Sequence, residues 1–263
     1  MQKVNRTLWQ RIKPWLITLV VVLIYVWAFS GIDLSSIKET AGEVTMAILN
    51  GLFHPDWAYV YIGDGEDLIN ALVETLAIAF LGTFISAFLT IPFAFLAAHT
   101  KRGFSAHATI GKFLLTVIRV FPEIVLALMF IKAVGPGACA GVLAVSVHSI
   151  GMLGKLFGES IEDIDRGPNE AIVAAGGSAV DSWTLATIPA VLPAFMNYTL
   201  YRFEIAVRSA SILGIVGAGG IGAPLIFALQ TRNWSRVGII LLGIIVMVTV
   251  IDYLSGQIRK RLV

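Results

Sequence analysis

The sequence is poor in charged residues and has a single cysteine. Only 14% of its 263 residues are charged and 57% are hydrophobic, whereas a soluble protein carries roughly a quarter charged residues. This scarcity of charge indicates that lipid is the solvent for most of the surface. Because Cys139 has no second cysteine to join, an intrachain disulfide framework and a cysteine-based zinc site are both excluded.

The common catalytic motifs are also missing. Gly154 and Lys155 lack the earlier glycine and the following Ser or Thr of a P-loop, so any ATP that drives this protein would bind to another chain. The histidines are dispersed without metal-ligand spacing, and no serine lies in a nucleophile elbow. We therefore expect no catalytic residue, no metal and no cofactor on this chain, and no nucleic-acid partner.

Long apolar runs with few or no charges are what the sequence has instead. A helix needs about 20 apolar residues to cross a bilayer core, and six runs approach this length. The chain is therefore predicted to be an all-α integral membrane protein with spans at residues 15–32, 75–98, 113–131, 133–154, 182–201 and 237–254.

A seventh uncharged run, residues 209–231, contains five glycines and Pro224. Glycine and proline both disfavour a straight helix, so the run predicts a broken or re-entrant segment buried in protein. Gly217, Gly219 and Gly222 match G-x-G-x-x-G, but a dinucleotide site also needs a preceding strand. We instead interpret Gly217, Gly219, Gly220 and Gly222 as a tightly packed constriction, and hence as a candidate gate.

The distribution of basic residues predicts the orientation of the spans. The two ends of the chain and loop 99–112 are basic, so all three are expected on the same side of the membrane. The two ends can share a side only if the number of spans is even, and six spans meet this condition. Both termini are therefore expected in the cytoplasm. Loop 33–67 is acidic and would be extracytoplasmic; its aromatic residues indicate either an interfacial belt or a docking surface. The basic residues used are Lys3, Arg6, Arg11, Lys13, Lys101, Arg102, Lys112, Arg259, Lys260 and Arg261, against Lys38 alone in loop 33–67.

Three regions follow from this organisation. Residues 1–67 form the first span with its extracytoplasmic loop, residues 68–257 form the core, and residues 258–263 form a basic cytoplasmic tail. Within the core, a cytoplasmic loop at about residues 159–188 joins the fourth and fifth spans.

Charges inside predicted spans are candidates for function because they are costly in lipid. Arg119 and Glu123 are four residues apart, which favours a self-neutralising pair on one helix face. Arg202, Glu204 and Arg208 follow the fifth span, in a region where arginine outnumbers glutamate. Arginine binds oxyanions through forked hydrogen bonds, so these five residues are candidates for an anion path. The alternative is that the arginines extend to lipid headgroups.

The cytoplasmic loop contains the most informative stretch, EAIVAAGGSAVDSWTLATIPAVLP at residues 170–193. It resembles the EAA loop of ABC-importer permeases, in which Glu-Ala-Ala is followed by a glycine and, after about ten residues, by a hydrophobe and proline. Glu170, Ala171, Gly176 and Pro189 occupy those positions. Two residues depart from the pattern, since Ile172 replaces the second alanine and Ile188 replaces the usual leucine.

Further segments resemble the phosphonate-type permeases of ABC importers. The family's motifs Arg-x-x-Pro-Glu, Ala-Val-Gly, His-Ser, Gly-Lys-Leu and Arg-Ser-Ala recur here in order, and the resemblance covers roughly residues 68–257. VGAGGIG at residues 216–222 is shared more widely, including with methionine-type permeases. The matching residues are Arg119, Pro122, Glu123, 133–135, His148, Ser149, 154–156 and 208–210.

The resemblance implies a type I ABC-importer permease fold in a bacterial cytoplasmic membrane. It also implies a homodimer, two cytoplasmic ATPases that hold ATP and Mg²⁺, an extracytoplasmic solute-binding protein, and alternating access for a phosphonate or related phosphorus oxyanion. In that scheme Glu170 to Pro189 is the element that couples the ATPase to the spans. Two alternatives are open: an importer for an amino acid such as methionine, and an ion-coupled secondary transporter using Glu123, His148 or Asp252.

Overall fold

The computed structural model describes residues 8–31, 40–63, 65–98 and 106–262, which are helical apart from short turns and contain no strand. Lys3, Arg6, Lys38, Lys101 and Arg102, used above for orientation, lie outside the described residues. The α-helices are α1 Leu8–Ser30, α2 Ala41–Phe53, α3 Leu68–Ala97, α4 Ala106–Val120, α5 Glu123–Val134, α6 Ala138–Asp163, α7 Gly167–Ala174, α8 Ala179–Ser182, α9 Ile188–Leu213, α10 Gly222–Gln230 and α11 Trp234–Arg259.

The predicted number of spans agrees with the structure. Among the described residues, five helices are long and apolar enough to cross a membrane, and a sixth span is obtained if one bent helix pair counts as a single span. The bounds differ at several ends. α6 begins later than predicted, at Ala138, because Gly135 and Gly137 adopt positive φ values of 92° and 131° and separate it from α5.

The predicted third span, residues 113–131, is not one straight helix. α4 and α5 meet at an angle of 81° across the break at residues 121–122. Pro122 has no backbone N–H to donate, and its ring disfavours helical backbone at the preceding residue. The sequence prediction treated this proline as an interior residue of a continuous helix, and the structure shows that α4 ends before it.

The predicted fifth span, residues 182–201 with its start near Pro189, lies within a longer helical run in the structure. Helical backbone runs from Ala179 to Val216, including a π-helical turn at Trp183–Thr187. Pro189 lies within this run, directly after the wider turn, which relieves the usual clash of a proline ring with the preceding helical turn. The sequence prediction places the charges at residues 202–208 at the end of the span, but they lie inside α9 and are paired with charges on other helices.

The core of the bundle is formed mainly by α3, α6 and α9. Its largest buried cluster joins Ile78 and Ala79 of α3, Ala144 and Val145 of α6, and residues 206–213 of α9. Small residues dominate these contacts, which lets the helix backbones approach closely, as is common between membrane helices. This packing fixes α9 against both of the other central helices.

The chain divides into two compact units, Met1–Ile48 and Leu49–Val263. In the first, the described side chains of α1 are exposed along its whole length, as expected of a helix whose surroundings are lipid. In the second, a 3₁₀ turn at Trp57–Val60 precedes α3. The aromatic residues of this region differ in exposure. Phe53, Trp57 and Tyr61 are exposed, whereas Tyr59 is buried, and the guanidinium carbon of Arg236 lies 4.5 Å from the centre of the Tyr59 ring.

Candidate functional site

The loop after α6 forms a short exposed helix, α7. Its start is set by Asp165, whose carboxylate accepts a hydrogen bond from the Gly167 N–H at 3.0 Å, and by Pro168 in the first turn. Glu170 lies in that first turn, where a negative charge is favoured by the helix dipole. Glu170 and Ala171 are both exposed, so a second protein can contact this end of the helix.

The chain leaves α7 through a sharp turn. Gly176 has a φ of +86°, and the Gly177 N–H donates to the Ile172 carbonyl at 2.9 Å, which is a glycine-dependent way of ending a helix. α8 follows at once and is capped reciprocally by Ser178 and Asp181. The Ser178 hydroxyl donates to the Asp181 carboxylate at 2.7 Å and lowers the pKa of Asp181 below its ordinary value.

Side chains behind the loop hold it to the membrane helices. The Asn169 amide donates to the Thr187 hydroxyl at 3.2 Å, which ties α7 to the start of α9. The Trp183 ring lies 4.7 Å from the Phe95 ring at the end of α3. A cavity of about 570 Å³ lies among α6, α7 and α8. The loop is thus an exposed element whose inner side is connected to α3 and α9.

α9 connects this loop directly to the glycine-rich segment. Pro189 is at its first turn, and Gly214 follows its last residue, Leu213, so one helix of 26 residues joins the two candidate elements.

The glycine-rich segment is a compact turn packed against α3 and α6. Gly217, Gly219 and Gly220 have positive φ values of 95°, 83° and 75°, which glycine adopts readily. A Cβ on Gly219 would lie 2.7 Å from the Ala138 nitrogen, and one on Gly220 would lie 2.6 Å from Thr75 Oγ1. The packing leaves no room for larger residues at these two positions.

Hydrogen bonds also fix this turn to its neighbours. The Ile221 N–H donates to Thr75 Oγ1 at 2.8 Å, and the Gly137 N–H donates to the Gly217 carbonyl at 2.9 Å. Gly222 packs on Ile215 within the same turn. The segment is therefore broken, as the sequence predicts, and this candidate constriction is anchored at the ends of α3 and α6 that lie away from α7.

A cavity of about 710 Å³ adjoins this constriction. Glu66, Asp67 and Glu74 contribute carboxylates to its lining, and Arg236 contributes a guanidinium. Asp67 is the N-cap of α3, and the hydrogen bond from the backbone N–H of Asn70 at 2.9 Å lowers the pKa of Asp67. The cavity lies at the end of the bundle away from α7.

Arg202 and Glu123, two of the candidate path residues, form a buried ion pair. The Arg202 guanidinium donates to Glu123 Oε1 at 3.1 Å and to Ser149 Oγ at 2.7 Å. The Arg202 side chain is only 1% exposed, and that of Glu123 is 12% exposed. His148 lies alongside, with its Nδ1 3.1 Å from the Phe121 carbonyl oxygen at the helix break. The pair joins α9 to the start of α5.

Glu204 and Arg208 pair with α11 rather than with each other. The Arg259 guanidinium donates to Glu204 Oε1 at 2.6 Å. Arg208 donates to both carboxylate oxygens of Asp252, at 2.8 and 2.6 Å. Along one helix of the core, three successive charges are therefore neutralised by three different residues on neighbouring helices.

Arg119 is separated from these pairs by the helix break. The self-neutralising Arg119–Glu123 pair does not form, because neighbours four residues apart share a face only on a continuous helix. Arg119 is exposed, and its backbone packs on Gly151 of α6. No hydrogen bond or ion pair engages its guanidinium within the described part of the chain.

Sequence reasoning missed the partners of these charges. Ser149, Asp252 and Arg259 contact residues 44 to 55 positions away, and nothing in local spacing indicates such pairs. Thr75 was also missed, since a threonine in a span has no distinguishing signal. The presence of several opposite charges in otherwise apolar helices was the one available clue that pairing would occur.

Comparison with known proteins agrees with this geometry. Residues 90–263 match the family described as "Binding-protein-dependent transport system inner membrane component". The phosphite transport system permease protein PtxC of Stutzerimonas stutzeri is 35% identical over 260 residues, which are 96% of this chain and 90% of that protein. The phosphate-import permease protein PhnE of Mycolicibacterium smegmatis is 41% identical over 202 residues, 76% of this chain and 37% of that protein.

A solved structure supports the fold assignment. The MetNI methionine ABC transporter in inward-facing conformations superposes with a TM-score of 0.65 at 20% identity, covering 74% of this chain and 96% of that one. The predicted type I importer permease fold and the resemblance to ABC-importer permeases are confirmed. This multi-pass chain therefore belongs to the family of inner-membrane components of binding-protein-dependent transport systems.

Proposed function

We propose that this chain forms the translocation path of an ATP-driven importer for a phosphonate or related phosphorus oxyanion. The observation that carries the proposal is 35% identity over 96% of the chain to a phosphite transport permease. A second relative, at 41% identity, is named for phosphate import. Phosphite and phosphate are both small tetrahedral phosphorus oxyanions, so we assign that chemical class to this chain.

The continuous helix α9 supplies the mechanical part of the proposal. Binding of a partner at Glu170 and Ala171 would displace the loop, and α9 would carry the displacement to the constriction at Gly217–Gly222. Contacts at that constriction are close and specific, so a shift of α9 exchanges one packed arrangement for another rather than deforming it gradually. Alternating access then follows if ATP binding on the partner favours one arrangement.

Three kinds of partner follow from this function. A cytoplasmic ATPase, carrying ATP and Mg²⁺, would bind the exposed loop that contains Glu170, Gly176 and Pro189. An extracytoplasmic solute-binding protein would deliver the oxyanion at the opposite end, near the 710 Å³ cavity. A second permease subunit would complete the path. The homodimer implied by the sequence and a pair with a sibling permease both meet this need, and the native mass of the purified complex separates them.

The orientation of the termini belongs to the same proposal. With the loop at residues 159–188 on the cytoplasmic side and six spans, both termini are cytoplasmic. A thiol introduced at exposed Tyr61 should react with an impermeant maleimide in intact cells, whereas one at exposed Gly176 should react only after lysis. Equal labelling of the two positions in intact cells would refute this topology.

Reconstituted transport tests the function itself. The chain, its ATPase and its binding protein are assembled in proteoliposomes, and ATP-dependent uptake of labelled phosphite is measured with methylphosphonate, phosphate and methionine as competitors. Inhibition by the phosphorus compounds alone supports the proposal. Sole inhibition by methionine would indicate an amino-acid importer, and uptake by this chain alone in an ion gradient would indicate a secondary transporter.

A further inference from the structure

We infer that Arg119, together with Lys112 and Lys155, forms an oxyanion-binding site between α4 and α6. This inference rests on the proposed function and assigns residues that contact the transported anion. It follows from four observations: the position of Arg119, its lack of a partner, the cavity that it lines and the charges around that cavity.

The depth of Arg119 is fixed by its contact with α6. A Cβ on Gly151 would lie 2.7 Å from the Arg119 backbone nitrogen, so the two backbones touch. Gly151 is the fourteenth of the 26 residues of α6, which spans from Ala138 to Asp163. The uncharged part of α6 ends at Gly154, only three residues or about 5 Å after Gly151, so Arg119 lies near the end of the spans that carries the loop at residues 159–188.

The other interior arginines are already neutralised. Arg202 is buried against Glu123 and Ser149, and Arg208 pairs with Asp252. Arg119 is exposed, and no described carboxylate pairs with it. A guanidinium is unfavourable in hydrocarbon and faces water, an anion or a lipid headgroup instead. The exposed and unpaired Arg119 is therefore open to an anionic ligand.

A small cavity of about 110 Å³ is lined in part by Arg119. It is several times larger than the roughly 30 Å³ that one water molecule occupies in the liquid. Lys112 and Arg119 are seven residues apart on one face of α4, and Lys155 faces them from α6. Gly151 and Gly154 on the α6 side allow the close approach, since a Cβ on Gly154 would lie 2.6 Å from Leu115 Cδ2.

The charges around this cavity are predominantly positive. Lys112, Arg119 and Lys155 line it, against the single carboxylate of Glu159. Lys155 is 3.5 Å from Glu159, and Lys112 is 2.8 Å from Glu162, so both ammonium groups are partly engaged. The planar guanidinium of Arg119 is the free group, and its fork matches two oxygens of a tetrahedral anion.

Two sources of phosphorus oxyanion have the required chemistry, a lipid headgroup and a free solute. Arg119 and the two lysines lie near the end of the spans, within reach of headgroups as well as of a solute. The proposed function favours the transported solute, and the second test below separates the two sources. The lysines would receive the anion as it leaves Arg119 toward the cytoplasm.

The first test compares substitutions in the assembled transporter reconstituted in vesicles. Arg119→Gln should lower ATP-dependent phosphite uptake at saturating phosphite by about tenfold or more, the effect of losing a charge-assisted hydrogen bond, while ATP hydrolysis and subunit assembly persist. Arg119→Lys should recover part of the uptake. Lys132→Gln is the matched control, because Lys132 is an exposed cation in the last turn of α5, away from this cavity.

The second test distinguishes a water-facing site from a lipid-facing one. Arg119→Cys in a Cys139→Ser background should react with a trimethylammonium methanethiosulfonate, regain uptake as the positive charge returns, and be protected from the reagent by phosphite. If phosphite does not protect the thiol from the reagent, and uptake depends on phosphatidylglycerol in the vesicles, then Arg119 contacts lipid phosphate and the inference is overturned.

The outcomes separate the two proposals. If the unaltered transporter takes up phosphite, phosphonate or phosphate but Arg119→Gln transports as well as Lys132→Gln, only the site is wrong. If the unaltered transporter takes up none of the three, the proposed function fails, and the site fails with it.

Discussion

Arg202 and Glu123 are 79 residues apart in the sequence and 3.1 Å apart in the structure, measured from Nη2 to Oε1. The pair connects the middle of α9 to the first residue of α5, immediately after the break at Pro122. α9 begins at the loop that contains Glu170 and ends at the glycine-rich segment. The ion pair therefore attaches the bent helix pair to the helix that, in the proposed function, transmits the movement of the ATPase.

Breaking this pair should destabilise the protein strongly. Glu123→Gln leaves the Arg202 guanidinium buried without a compensating charge, and such changes cost about 3–5 kcal/mol. Unfolding in detergent, monitored by circular dichroism, measures the effect. The double variant Glu123→Gln with Arg202→Met should recover part of the loss, because it removes the isolated charge.

The exposed pair on the same helix supplies the control. Arg208 and Asp252 are 47% and 41% exposed, so Arg208→Gln should cost only about 0–1 kcal/mol. Equal losses for Glu123→Gln and Arg208→Gln would show that burial does not determine the strength of these pairs.

Glu170→Ala should uncouple transport from ATP hydrolysis. Glu170 is exposed in the first turn of α7 and has no hydrogen-bond partner among the described residues, so its removal should leave folding and membrane insertion intact. We expect ATP-dependent uptake to fall by roughly 5- to 150-fold, the range of a typical coupling free energy. Asp163→Ala, an exposed carboxylate at the end of α6, should transport normally, and full uptake by Glu170→Ala would refute the coupling role.

Two glycines of the constriction should respond differently to alanine. Both Gly217 and Gly220 have positive φ, but a Cβ on Gly217 meets nothing nearer than 3.9 Å, whereas one on Gly220 lies 2.6 Å from Thr75 Oγ1. Gly217→Ala should cost about 1–2 kcal/mol from backbone strain alone. Gly220→Ala should cost about 1–3 kcal/mol more, from overpacking. Similar melting temperatures for the two variants would show that Thr75 moves aside.

The capping box of α8 should weaken in acid. The Ser178 hydrogen bond lowers the pKa of Asp181, so the ionised carboxylate is favoured by the folded loop. This stabilisation is complete above the ordinary aspartate pKa of about 3.9 and is lost as the pH falls through the lower, folded-state pKa. Hydrogen exchange at residues 178–182, corrected for intrinsic rates, should be constant from about pH 5 to 8 and increase below that range.

Ser178→Ala tests the cause of that behaviour. Without the hydroxyl, the pKa of Asp181 should move toward its ordinary value, and exchange in α8 should increase already at neutral pH. An unchanged acid profile in this variant would mean that another group controls the protonation of Asp181.

The sequence by itself determined the class of the protein and the number of its spans, and it predicted the loop around Glu170. These features depend on composition and local order: apolar runs of fixed length are needed in lipid, and the pattern around Glu170 and Gly176 lies within one short segment. The glycines of the constriction were likewise visible, because their conformational requirement is local.

Only the tertiary structure decided which charges are neutralised and which is left free. Arg119 and Glu123 looked like partners because they are four residues apart, but Pro122 ends the helix between them, and Glu123 instead meets Arg202. Arg208 and Asp252 meet because α9 and α11 pack side by side. Such contacts arise from the relative depth and rotation of packed helices, which no local pattern of residues specifies.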